Sequence, residues 1–219
     1  MTAVLSAYSA QLRGSLPDID NAKQNFKRFG GLAKVQDALA DVADQHPSSN
    51  KFGLQLLHRH SKLVDGEIMI ENGPTTHPFL LSDLSTAARD SLRATVWGIS
   101  PVTKRFTPLQ FAFEEHNGQS MDELDAALAE AVAAILIHHG LEHVFGLATT
   151  DPDQEMMIEI TSGRAEILIP ATKFLETKAG VETLWPLSKI GRGGTAALCA
   201  TQCAVDPKDG RHKTYHVSF

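Results

Sequence analysis

Cysteine is scarce in this chain, two residues in 219, at positions 199 and 203. A pair so close in sequence closes too short a loop to act as a disulfide framework, which excludes a small disulfide-built scaffold and leaves metal ligation, reactivity or plain burial. Long apolar runs are also missing. No stretch of about eighteen uncharged apolar residues occurs, and Met1-Thr-Ala-Val-Leu-Ser-Ala-Tyr8 lacks the basic start and apolar core of a secretory leader. The sequence therefore predicts a cytoplasmic protein with no membrane partner. Runs of Lys and Arg are absent too, and a net charge of −6 with a pI near 5.9 argues against nucleic acid as a partner, which would need a basic patch. Charged and hydrophobic fractions of 21% and 42% are ordinary globular usage, excluding disordered, collagen-like and coiled-coil classes. The length suits a single domain over 1–219 with a core large enough to need no staples.

What is present is a change of period along the chain. In the N-terminal part, 1–48, Asp18 or Asp20 can cap a helix carrying Ala22, Phe26 and Phe29, and Leu32, Val35, Leu39 and Val42 keep helical spacing up to about Gln45. From Phe52 the period becomes two. Phe52, Leu54, Leu56, His58 and His60 share one face of a predicted strand, joined through Val64-Asp65-Gly66-Glu67 to a second strand with Ile68 and Ile70. Further strands are expected at 91–99 and 107–114, and a hairpin at 155–160 and 164–169 that turns Glu155 and Glu159 to solvent. The capping box Ser120-Met-Asp-Glu123 opens a predicted helix over 121–139. Helix followed by hairpin thus occurs twice, around 20–71 and 121–169, compatible with a duplicated unit. The whole reads as an α+β fold, a mainly antiparallel sheet from several hairpins with two helical regions packed on it. Long helices speak against a barrel. Gly191-Arg-Gly-Gly194 lacks the Gly-Lys-Ser/Thr that a phosphate loop needs and reads as a connector.

Two constellations carry chemistry. At the C-terminal end, Cys199, Cys203, His212 and His216 follow one another around the turn Asp206-Pro-Lys-Asp-Gly210. As a hairpin this places Cys203 opposite His212 and Cys199 opposite His216 on one face. Residues i and i+4 of a strand lie roughly 13 Å apart, so a hairpin yields two Cys/His pairs and not one cage; a helical Thr195–Ala204 would instead bring the cysteines together. Upstream, His58-Arg-His60 sends two imidazoles to the same side, a pattern that suits a shared metal ion. The rival reading is of two histidines capping an apolar strand with local hydrogen bonds. Glu67 and Glu71 alternate outward and read as solvated.

Together these point to His58, His60, Cys199, Cys203, His212 and His216 as candidate metal ligands, with zinc as the expected ion and another divalent metal as the alternative. An ion with three protein ligands and an open position would supply a hydroxide for a hydrolase or lyase acting on a small-molecule substrate or ligand. A closed site would make a non-catalytic, metal-stabilised binding domain. A third reading needs no metal: His212 takes the proton of Cys203 to form a covalent nucleophile.

Leu56-Leu-His-Arg-His60, Asp65-Gly-Glu67, the Cys-x3-Cys at 199–203, Gly210 and His212-x3-His216 resemble an uncharacterised group of fungal proteins over much of the chain. The resemblance implies a fungal cellular protein and brings with it no activity or catalytic residue.

Overall fold

The computed structural model describes residues 3–114, 124–151, 153, 155–173, 180–191 and 200–204. Its strands are β1 (Phe52–Leu56), β2 (Glu67–Asn72), β3 (Thr75–Leu80), β4 (Leu92–Ile99), β5 (Phe106–Phe113), β6 (Phe145–Thr149), β7 (Met157–Ser162), β8 (Ala165–Pro170), β9 (Gly180–Pro186) and β10 (Thr201–Ala204). The helices are α1 (Ala3–Ser6), α2 (Ala10–Ser15), α3 (Ile19–Arg28), α4 (Gln36–Gln45), α5 (Thr86–Asp90) and α6 (Ala126–His138).

The ten strands close into one barrel in the order β1-β6-β4-β5-β2-β3-β8-β7-β10-β9, with β9 returning to β1. Two pairings are parallel, β2 with β5 and β7 with β10, and the others are antiparallel. This corrects the expected α+β sheet with helical regions packed on it. The predicted first hairpin is also corrected: β1 pairs with β6 and β9, while β2 pairs with β3 and β5. A strand next in sequence is not its neighbour in space, because the segment between β1 and β2 crosses over instead of turning back.

Register shows which way each strand faces. Gln55 pairs with Gly146 and Leu184, Gly53 with Ala148, and Ala148 with Val96. Val96 pairs with Gln110, Gln110 with Met69, and Glu71 with both Ala112 and Thr76. Thr76 meets Glu166, Glu166 meets Thr161, and Glu159 meets Cys203. Side chains directly opposite across a ladder lie on the same face, so these residues, most of them small or polar with Val96, Met69 and Leu184 set among them, form one continuous surface around the ring. A cavity of about 1320 Å³ is lined by a residue from every strand, among them Gln55, Glu71, Thr76, Gln110, Glu159 and Glu166. That cavity is the lumen of the barrel, and this mainly small and polar face, broken by leucines such as Leu168 and Leu184, is its inner wall.

The opposite face is the apolar one. Phe52, Leu54, Leu56, Ile68, Ile70, Phe111, Phe145 and Leu147 join one buried cluster with Ile19 and Ala22 of α3, Leu39 of α4, and Leu128, Val132 and Leu136 of α6. Phe26 of α3 stacks on Trp185 at 5.5 Å between ring centroids. Each such side chain contributes on the order of 1.5–3 kcal/mol by leaving water, so the helices are held on the outside of the barrel by the strands' large apolar residues. Asp18 caps α3 through Asn21 N–H, as its position predicts. The cap of α6 is Asp125, which accepts from Ala127 and Leu128 N–H; Ser120 lies outside the described residues. Leu16, just after α2, packs against Leu57 and Leu109 beside the lumen.

The barrel is also internally symmetric in its topology. Exchanging β1–β5 with β6–β10 returns the same cyclic order read backwards, and the two parallel pairings exchange with one another. The hairpins β2–β3 and β7–β8 each turn at a glycine of positive φ, Gly73 at 58° and Gly163 at 61°. α4 leads into β1 and α6 into β6, and these two helices touch. Equivalent positions of the two halves meet where β1 pairs with β6, at Leu54 and Leu147, and where β3 pairs with β8, at Thr76 and Glu166.

Candidate metal centre

β1 ends at Leu56, so His58 and His60 lie in the segment that leaves the barrel wall and not on the strand expected for them. In that segment Leu57 N–H donates to the Val144 carbonyl and Arg59 N–H to the Pro17 carbonyl, and both imidazoles face the lumen. His58 Nδ1 donates to the Leu56 carbonyl at 2.8 Å, which orients the ring and turns Nε2 inward. His60 Nδ1 lies 2.7 Å from the Thr161 hydroxyl of β7. Both Nε2 atoms therefore point to one place, where Glu159 of β7 and Cys203 of β10 already face each other across the parallel pair.

The four donor atoms define a shape. His58 Nε2 lies 3.0 Å from His60 Nε2, 3.2 Å from Cys203 Sγ and 3.5 Å from Glu159 Oε2. His60 Nε2 lies 3.5 Å from Cys203 Sγ and 3.2 Å from Glu159 Oε2, and Sγ lies 2.9 Å from Oε2. Four points with six nearly equal separations are the corners of a tetrahedron. The centre of one this size lies about 2 Å from each corner, the length of bonds from zinc to nitrogen and carboxylate oxygen, with thiolate sulfur slightly longer. The group can hold a metal ion. Both imidazoles also have the Nδ1 partners that commonly orient ligating histidines.

Without an ion the four groups share protons. Burial pushes the Glu159 carboxyl up, but the charge of His60 and the hydrogen bonds from both histidines outweigh it and hold the carboxyl well below its usual range. Burial works against a charged His60, and the Glu159 carboxylate overcomes that and raises the imidazole. Burial, reinforced by Glu159, pushes the Cys203 thiol well above its ordinary value. The protein alone thus favours an imidazolium beside a carboxylate and a neutral thiol that donates to Glu159 Oε2.

Of the candidate ligands, the structure brings together His58, His60 and Cys203; Cys199, His212 and His216 lie outside the described residues. Cys203 is not open to the cross-strand pairing with His212 expected of a terminal hairpin, because both edges of β10 at this residue are occupied, by Glu159 of β7 and Val181 of β9. A neutral, raised thiol beside a carboxylate is also the reverse of an activated nucleophile. Glu159 was expected in solvent and is instead turned into the lumen. Its signal lay in the alternation Met157, Glu159, Thr161 against Ile158 and Ile160, which marks a polar face without saying whether it meets water or a cavity. The same correction applies to two other acids. Glu71 lines the lumen, and Glu67, 9% exposed, pairs with Arg164 and accepts from Val64 N–H.

The site is not repeated at the position related to it by the barrel's internal symmetry. By the register of the two hairpins and the two parallel pairs, Glu159 corresponds to Met69 and Cys203 to Gln110, neither of which offers a comparable ligand. Among the described residues, no helix is long and apolar enough to cross a membrane. Comparison of the chain with protein-family models, curated proteins and solved structures gave no match.

Proposed function

We propose that the protein is a zinc-binding barrel, with the ion held by His58, His60, Glu159 and Cys203 and the lumen serving as a small-molecule binding site. The tetrahedral arrangement of the four donors carries this reading. Two imidazoles, a thiolate and a carboxylate form a mixed borderline set that suits zinc and disfavours calcium or magnesium, which take six or more oxygens. Four protein ligands close the coordination sphere, and a closed sphere holds structure together. Here it would tie the segment after β1, in the first half of the barrel, to β7 and β10 in the second.

One observation favours a second, catalytic reading, a hydrolase or lyase. His58, His60 and Glu159 line the lumen, so a small molecule in it would reach the ion, and displacement of Glu159 would open a coordination position for water.

Elemental analysis of the purified protein should find about one equivalent of zinc, and cobalt(II) substitution should give the intense visible bands of a tetrahedral ion with a thiolate charge-transfer band. Cys203→Ser should lose that band, and His58→Ala should lose the ion. In the holding role a chelator lowers the melting temperature: at a thousandfold excess of ion over Kd the linked stability is about 4 kcal/mol, or roughly 8–16 °C at this chain length. A protein that takes up neither zinc nor cobalt would overturn the reading. Any ion bound only by the folded chain adds such linked stability, so the catalytic role is told apart by a hydrolase or lyase activity that is lost with the ion.

A further inference from the structure

We infer that the lumen is a site for a small organic cation, an amine on an apolar body, with Glu71 as the residue that recognises its charge. The proposal rests on the reading of the lumen as a binding site and adds the class of ligand.

The cavity, about 1320 Å³, exceeds what a drug-sized molecule needs. Its wall combines apolar patches from Leu57, Leu109, Leu168 and Leu184 with charged groups at defined points. The charges do not balance. Glu159 and Cys203 together match a divalent ion. Glu166, 6% exposed, is paired with Arg13, 4% exposed, which reaches in from α2 with 3.8 Å between Nη2 and Oε1. Glu71, facing the same lumen from β2, has no such partner; among the described residues no ion pair includes it. Lys51, the other cation of the wall, sits just before β1, with Asp151 and Glu114 just beyond β6 and β5.

An acid in this position costs the empty protein something. Burial pushes the Glu71 carboxyl up, and the neighbouring Glu166 and Glu159 add to the effect. A ligand ammonium placed beside Glu71 would supply the missing counter-charge and find apolar wall for its body within the same cavity. An anion would meet uncompensated Glu71 and would have to compete with Glu166 for Arg13. A neutral molecule of the same shape would gain the apolar contacts alone.

The test is calorimetric titration of the zinc-loaded full chain with three molecules of nearly one shape: phenethylamine, phenethyl alcohol and phenylacetate. The amine should bind most tightly, by roughly tenfold or more over the alcohol, the usual worth of a charge-assisted hydrogen bond, and phenylacetate least. Glu71→Gln, checked for zinc content and melting temperature as controls on its fold, should reduce the amine to the affinity of the alcohol. Equal binding of amine and alcohol, tightest binding of phenylacetate, or unchanged amine affinity in a folded Glu71→Gln protein would each overturn the cation assignment while leaving the lumen as a binding site. No binding by any of the three at millimolar concentration would overturn both. The wild-type series needs no variant, so a Glu71→Gln protein that fails to fold leaves the proposal exposed to it.

Discussion

The Nε2 atoms of His58 and His60 stand 3.0 Å apart, each turned to the other by an Nδ1 engaged elsewhere, on the Leu56 carbonyl in one case and the Thr161 hydroxyl in the other. Two lone pairs so placed repel unless a proton or a cation lies between them. The carboxylate and thiol that complete the group make the requirement stronger, since all four donors converge on one point in the wall of the lumen. The arrangement is that of ligands held ready for an ion, and its consequences can be measured.

Binding should release protons. The imidazole of His60 and the thiol of Cys203 are both raised above their ordinary values, and both must be deprotonated to ligate, so about two protons should leave per ion bound, with affinity rising as pH rises. Stability of the empty protein follows the opposite logic. The depressed Glu159 contributes above the unfolded carboxylate value, about 4.3, and that contribution is lost as pH falls through its folded value. The raised His60 contributes below the unfolded imidazole value, about 6.5, and loses it as pH rises through its folded value. The optimum of the empty protein should therefore lie between these and move upward on loading. Calorimetry in buffers of different ionisation enthalpy counts the protons, and melting curves across pH locate the optimum.

Thr161→Val should weaken the ion without removing a ligand. The hydroxyl at 2.7 Å orients the His60 ring, and loss of such a partner costs roughly 10–100-fold in metal affinity. A competition titration against a chromogenic chelator would read the difference. An unchanged affinity would mean that the ring is held by its packing alone.

Gly146→Ala should be strongly destabilising. A Cβ at this position of β6 would lie 2.1 Å from the Trp97 carbonyl oxygen and 2.8 Å from Leu57 Cδ2. The first of these is backbone in the neighbouring strand β4 and cannot swing aside. A loss of more than about 2 kcal/mol is expected, through overpacking of a close strand approach. Gly163→Ala is the control, because nothing lies within 4 Å of its added Cβ and only its positive φ resists the change. Urea denaturation of the two variants would show whether strand spacing at Gly146 matters more than turn conformation at Gly163.

Local order was legible along the chain. The apolar stripes of α3, α4 and α6, the cap at Asp18, the alternation from Phe52 and the turn between 160 and 164 follow from side-chain size, branching and backbone freedom within a few residues, and those forces act wherever the segment is placed. The recurrence of helix and hairpin read around 20–71 and 121–169 rested on a first hairpin that does not form; the symmetry of the barrel runs instead between β1–β5 and β6–β10. The pairing of His58 with His60 as convergent donors could also be read, although they converge from a loop and not from a strand.

What only the tertiary structure decided is which face of each strand is inside. Alternation separates large apolar from small polar residues, and both a sheet under helices and a barrel with helices around it satisfy that pattern, because the apolar face is buried in either case. Closure turns the polar face from solvent into a lumen. Glu159, Glu71 and Gln110 thereby change from surface residues to lining residues with no change in their local sequence. Closure also requires the long-range parallel pairings of β2 with β5 and β7 with β10, which no short-range signal encodes. The meeting of Glu159 with Cys203, and of both with His58 and His60, depends on the second of those pairings, so the fourth ligand could be found only once the ring was closed.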